Sequence, residues 1–152
     1  MIQIGVIGAG ECSTAGAAHA YEVGILIAQH NAVLICGGLG GIMESAARGA
    51  RAVGGLTVGI LPGFESEEAN PYIDIPIVTG LSHARNMIVV RSSSALIAIE
   101  GGYGTLSEIA IALKLGKPVV GLNTWNFDPR VIQAKTAHDA VEQALSLISN
   151  KV

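Results

Sequence analysis

Six short apolar runs, Ile2 to Ile7, Ala32 to Ile35, Leu56 to Leu61, Ile75 to Val78, Ala95 to Ile99 and Pro118 to Leu122, recur along the chain with helical stretches between them. They are apolar nearly throughout rather than at alternate positions, which marks strands covered on both faces, as in a parallel sheet flanked by helices. The pattern predicts an α/β fold: a doubly wound, Rossmann-like parallel sheet with helices on both faces, in a single domain over residues 1–152. Half of the residues are apolar and only 14% are charged, enough for one core at this length. Helices are expected roughly from Ala15 to His30, Ile42 to Val53, His83 to Ser93, Thr105 to Leu115 and Lys135 to Ser149. Asn31, Gly54-Gly55 and Gly116 stand where their C-caps belong. The acidic, proline-bounded segment from Pro62 to Tyr72 has no period and reads as a loop, either a solvated connector or a lid.

Two glycine turns fall between a predicted strand and a predicted helix. Glu100-Gly101-Gly102-Tyr103-Gly104-Thr105-Leu106-Ser107-Glu108 follows Ala95 to Ile99, and Cys36-Gly37-Gly38-Leu39-Gly40-Gly41-Ile42-Met43-Glu44 follows Ala32 to Ile35. The first amides of a helix have no intrahelical acceptor, so such a turn can hold an anion against the helix tip. Two of them could clamp one phosphorylated ligand. In an open parallel sheet, ligands bind outside the carboxyl ends of the strands. Gly8 to Ser13, Gly37 to Glu44, Pro62-Gly63, Gly80 to Arg85 and Glu100 to Glu108 are all predicted to converge there.

The formal net charge of -3, with no cluster of Lys or Arg, argues against a nucleic-acid partner. Cys12 and Cys36 are too few and too far apart for a disulfide framework or a zinc site, and no metal site emerges elsewhere. No apolar stretch is long enough for a membrane span, and no leader-like segment opens the chain, so it is placed in the cytoplasm with no membrane partner. Abundant small residues would let helix faces pack between subunits, which favours a homo-oligomer, a dimer or a tetramer.

Arg85 lies on the first turn of its predicted helix, and its planar donor fork suits phosphate or carboxylate. Thr105 and Glu108 have the T-x-x-E spacing of a capping box, and Gly41 with Glu44 admits the same interpretation, so each glutamate is either a helix cap or a ligand contact. Gly8-Ala9-Gly10-Glu11-Cys12-Ser13 lacks the third glycine of a dinucleotide fingerprint, and Ser13 or Thr14 could simply cap the first helix. His19, His30, His83 and His138 have no partner at catalytic or metal spacing, and Ser92-Ser93-Ser94 lacks a nucleophile-elbow setting.

Taken together, these turns resemble the Lonely Guy (LOG) family, often labelled lysine decarboxylase-like, whose signature is P-G-G-x-G-T-x-x-E with an upstream glycine turn and an arginine between them. Gly101, Gly102, Gly104, Thr105 and Glu108 match the signature, Gly37, Gly38, Gly40 and Gly41 look like the upstream turn, and Arg85 matches the arginine. Within the superfamily the chain looks nearest a bacterial branch similar to molybdenum cofactor carrier proteins. The resemblance implies one of two functions. LOG enzymes cleave the N-glycosidic bond of a nucleoside 5'-monophosphate, whereas the carriers bind a phosphorylated pterin unchanged. It further implies Arg85 and Glu108 as catalytic residues. Ligand contacts would come from Gly37, Gly38, Gly40, Gly41, Glu44, Gly101, Gly102, Tyr103, Gly104 and Thr105, with no resident cofactor. Two departures reduce positive charge near the ligand: Glu100 replaces the leading proline, and Asn86 stands where LOG enzymes usually have lysine. Lysine decarboxylation is not expected, because Lys114 and Lys117 precede the strand at Pro118, away from the ligand edge.

Overall fold

Continuous apolar runs fold here into a fully parallel sheet. The computed structural model describes residues 1–150, and its seven strands are β1 (Gln3–Gly8), β2 (Val33–Cys36), β3 (Thr57–Leu61), β4 (Ile75–Val78), β5 (Ala95–Ile99), β6 (Val119–Leu122) and β7 (Val131–Gln133). They lie in the order β4-β3-β2-β1-β5-β6-β7, every neighbouring pair parallel. The helices are α1 (Thr14–Gln29), α2 (Ile42–Ala52), α3 (Arg85–Ser92), α4 (Tyr103–Lys114) and α5 (Ala137–Ser149). Two apolar layers cover the sheet, one from α1, α2 and α5, the other from α3 and α4. This is the doubly wound arrangement expected, and the order in which strands are added reverses between β1 and β5, where Val6 faces Ile97 and Gly8 faces Ile99.

Asn31, Gly54 and Gly116 take left-handed conformations with φ of 57°, 79° and 68°, ending α1, α2 and α4 as their positions predicted. α4 starts two residues earlier than expected, with Gly102 as its N-cap, and α3 is preceded by a 3₁₀ turn at Ser82–Ala84. β7 was not foreseen: three residues at a sheet edge give too little pattern to read. Gly24 and Gly49 bring α1 and α2 into backbone contact, since a Cβ on either would meet the carbonyl of Ala46 or of Tyr21. Part of the small-residue content therefore serves packing within the subunit. The 62–72 loop carries a 3₁₀ turn at Ser66–Glu68, and its far end is tied to the upstream glycine turn. The Asn70 amide donates to the Gly38 carbonyl (2.9 Å), and Asn70 Nδ2 donates to the Leu39 carbonyl (2.8 Å).

Candidate functional site

A hollow of about 200 Å³ opens at the carboxyl ends of β1 and β5, at the topological switch point. Gly8, Ala9 and Gly10 form one wall, and Gly37 with Met43 another. His83, Arg85 and Asn86 come from the start of α3, while Gly102, Gly104, Thr105 and Glu108 come from the start of α4.

The α4 tip is open. Among the described residues, nothing accepts a hydrogen bond from the amides of Gly102, Tyr103, Gly104 or Thr105; the first α4 amide with an acceptor is Leu106, bonded to the Gly102 carbonyl at 3.0 Å. The turn is held from behind. Thr124 Oγ1 donates to the Glu100 carbonyl at 2.6 Å, and Trp125 Nε1 donates to the Gly102 carbonyl at 3.0 Å. Both bonds fix carbonyls and leave the amides free.

Because Gly102 is the N-cap, Thr105 is the third residue of α4 and Glu108 the sixth. The capping-box interpretation therefore does not hold for this pair: Thr105 lies inside the helix, one turn beyond the position it would cap. Glu108 is only 7% exposed and points into the hollow, and burial pushes its carboxyl up to about 7 against the opposing pull of Arg85. Arg85 itself is half-buried, and burial lowers its pKa while Glu108 works the other way. A guanidinium nevertheless stays charged. Among the described residues no carboxylate lies within ion-pair distance of it, and its buried Nε has no acceptor. The hollow thus holds an unpaired cation beside a carboxyl that is about half protonated at neutral pH.

Asn86 explains how the hollow does without a lysine there. It is buried, its Oδ1 accepts from Arg85 Nη1, and its Nδ2 donates to Ser107 Oγ at 3.1 Å, which in turn donates to the Gly104 carbonyl at 2.6 Å. This chain of bonds locks Arg85 to the first turn of α4.

The upstream turn behaves differently. The Ile42 amide at the α2 tip is taken by the Ala9 carbonyl (2.9 Å), and a Cβ on Gly41 (φ 64°) would meet the Ala9 and Gly10 carbonyls. The α2 tip thus packs against the β1–α1 loop. Gly37 and Met43 still reach the hollow, whereas Gly38 packs on Leu61, and Gly40 and Gly41 lie off its lining. Glu44 makes no capping bond and faces a separate hollow with Cys12, Gly41, Ser45, Arg48 and Tyr72. Gly101 sits over Thr105, and Tyr103 is 84% exposed, stacked on Trp125 with ring centroids 6.1 Å apart. So the structure gathers Gly37, Arg85, Gly102, Gly104, Thr105 and Glu108, and leaves Gly38, Gly40, Gly41, Glu44, Gly101 and Tyr103 off the lining.

His83 and Met43 lie in segments expected at this edge, and Asn86 stands where the resemblance puts a residue near the ligand, whereas Thr124 and Trp125 behind the turn were not anticipated. His83 had a signal, its place just before Arg85, but Thr124 and Trp125 act across the sheet from a loop with no motif. Cys36 lies close enough to feel both Arg85 and Glu108, and burial pushes its thiol up to about 11, so it stays protonated. Among the described residues no lysine lines the hollow; Lys117 Nζ instead donates to the Arg91 carbonyl at 2.9 Å, at the far end of α3. Among the described residues, no group of three or more His, Cys, Asp or Glu could hold a metal ion, and no helix is long and apolar enough to cross a membrane.

Fold and site together define a Rossmann-like α/β protein whose switch-point crevice is built around one open helix tip, an arginine without an ion-pair partner and a buried glutamate. The chain belongs to the SLOG cluster4 family, which matches residues 1–149. It is 51% identical over 96% of its length to an uncharacterised protein of Archaeoglobus fulgidus, covering 93% of that protein. It is also 38% identical to a cytokinin riboside 5'-monophosphate phosphoribohydrolase of Mycobacterium tuberculosis, over 72% of this chain and 64% of the enzyme. Among solved structures, the molybdenum cofactor binding protein of Rippkaea orientalis superposes with a TM-score of 0.92 at 40% identity, covering 97% of both chains. The molybdenum cofactor carrier protein of Chlamydomonas reinhardtii does so at 0.90 and 37%, covering 98% of this chain and 99% of that one. The LOG-like superfamily, near the molybdenum cofactor carriers, is therefore the setting in which this site belongs.

Proposed function

We propose that the protein binds a small phosphorylated ligand, a nucleotide or a nucleotide-like molecule such as a phosphorylated pterin, with its terminal phosphate on the α4 tip. The observation that carries this reading is the set of unpaired amides at Gly102, Gly104 and Thr105, opening on the same hollow as the unpaired Arg85 guanidinium. Backbone donors at a helix tip and an arginine fork are complementary to a phosphate. Similarity along nearly the whole chain to proteins that bind molybdenum cofactor supports use of the site as a carrier.

One observation favours a hydrolytic use of the same site. Glu108 is a buried carboxyl beside the phosphate position, and the similarity to a phosphoribohydrolase gives it a task. In that reaction water adds to C1′ of the ribose, the C1′–N bond breaks, and the base departs with a proton drawn from that water. Ionised Glu108 would stabilise the oxocarbenium-like sugar or orient the water, while the α4 amides and Arg85 hold the 5'-phosphate.

The experiment is incubation with a panel of nucleoside 5'-monophosphates. Release of free base by the wild type, abolished in Glu108→Gln, establishes the hydrolase; saturable binding without release establishes the carrier; no binding of any phosphorylated compound sinks both. We also propose a cytoplasmic homo-oligomer. Two free thiols and the exposed apolar side chains Ile75, Ile77 and Val78 on β4 and Met87 on α3 support it.

A further inference from the structure

The tip of α1, the helix after the central strand, is where folds of this class place a dinucleotide's pyrophosphate. In this protein the position is filled from within. Glu100 leaves β5 with a left-handed backbone (φ 55°), unusual for a residue with a side chain, and crosses to the tip of α1. Its carboxylate accepts from the Ser13 amide (3.0 Å) and from the Ser13 hydroxyl. Ser13 Oγ, the α1 N-cap, accepts in turn from the Gly16 amide at 2.9 Å. A Cβ at position 16 would collide with the carboxylate, so Gly16 provides the room for it.

Two further facts tie this carboxylate to the crevice. Glu100 runs directly into Gly101-Gly102, and Gly102 lines the hollow. Gly8 to Gly10, which lead to the α1 tip, line it too.

We infer that Glu100 is a specificity determinant: its fixed carboxylate stands where a second phosphate would bind, so the crevice accepts ligands ending in one phosphate and rejects diphosphates and dinucleotides. This rests on the reading of the α4 tip as the phosphate site. The first phosphate finds free amides and Arg85; a second one, linked to it, meets the Glu100 carboxylate, which already holds the Ser13 amide and hydroxyl.

The test is calorimetric titration with AMP and ADP, repeated with phosphate and pyrophosphate so that the outcome does not depend on the base. The wild type is expected to bind the monophosphate of each pair about tenfold more tightly, the scale of one charge at a helix tip. Glu100→Gln, which keeps length but removes charge, should close the gap to within about threefold without weakening AMP. Glu100→Gly, which suits the positive φ and so keeps the turn, should do the same and serves if the first variant does not fold. Equal wild-type affinity for AMP and ADP, or a gap unchanged in both variants, overturns the role of Glu100 and leaves the phosphate site standing. Failure of the wild type to bind any of the four compounds overturns the phosphate site and this inference with it.

Discussion

The tips of α1 and α4 flank the same hollow and are both reached from a central strand through a short glycine-containing loop, yet they end in opposite states. At α1, Ser13 caps the helix and Glu100 covers the cap; at α4, Gly102 caps nothing and the amides stay free. The carboxylates follow suit. Hydrogen bonds from the Ser13 hydroxyl, then from its amide, hold Glu100 below its ordinary pKa, whereas burial lifts Glu108 to about 7. A glycine turn before a helix therefore does not define an anion site by itself. What decides is whether the neighbouring chain delivers its own anion, and here a single segment, Glu100 to Gly102, sets a carboxylate on the cap of one tip and leaves the other without one.

The largest expected effect concerns Glu108. Its folded pKa lies above the ordinary value of 4.5, so its own contribution to stability is full below about pH 4.5 and is lost as pH rises through about 7. Glu108→Gln removes that cost and should stabilise the protein by on the order of 3 kcal/mol at pH 8, with little gain at pH 4, in denaturant unfolding at the two pH values. An equal gain at both would mean that the carboxyl is not desolvated as described. Next comes an attempt to make α4 resemble α1. Gly104 has open space where a Cβ would stand, and an acidic side chain near a helix start is favourable, so Gly104→Asp should fold well while weakening AMP binding roughly 100-fold. Unchanged affinity in a folded variant would remove the α4 tip from the site.

A smaller effect is expected at the closed tip. Gly16→Ala drives a methyl group into the Glu100 carboxylate and should cost roughly 1–2 kcal/mol, within the usual range for overpacking. The double variant with Glu100→Gly should recover most of that loss, because the clash and the positive-φ strain disappear together. Additive losses in thermal unfolding would show that the two residues do not meet.

The sheet was legible because strands covered on both faces must be apolar throughout, a pattern that survives without side-chain contacts. β5, buried at every position, matched its expected limits residue for residue; β4 matched them too although all four of its residues are exposed at the sheet edge, while β7, three residues running from buried Val131 to exposed Gln133, carried no comparable signal. The place of Arg85 at the crevice was legible from its position on the first turn of its helix, and that of Glu108 from the family resemblance. The T-x-x-E ambiguity was not, because the choice between cap and ligand contact turns on where α4 starts, a matter of two residues. Glu100 was visible as an acidic residue in a proline's place, but not its use, which lies in a bond to Ser13 made 87 positions away in sequence. Its φ of 55° also rules out proline in this conformation, since the ring holds φ near −65°.

The finest contrast between the tips lies in their response to pH. Sulfate does not titrate near neutrality, so its affinity reports only on the protein. Below about pH 7 Glu108 is protonated and adds no negative charge to the hollow; above it, the ionised carboxylate opposes an anion at the α4 tip. One charge a few ångströms away in a hydrated crevice is worth about 1 kcal/mol, so sulfate should bind roughly fivefold more weakly at pH 8.5 than at pH 5.5. By linkage, sulfate should raise the Glu108 pKa in return. Glu100, held below its ordinary pKa, stays ionised across this window and adds no slope of its own. Glu108→Gln should flatten the profile, and a slope that persists in that variant would assign the titration to another group and detach Glu108 from the anion at α4.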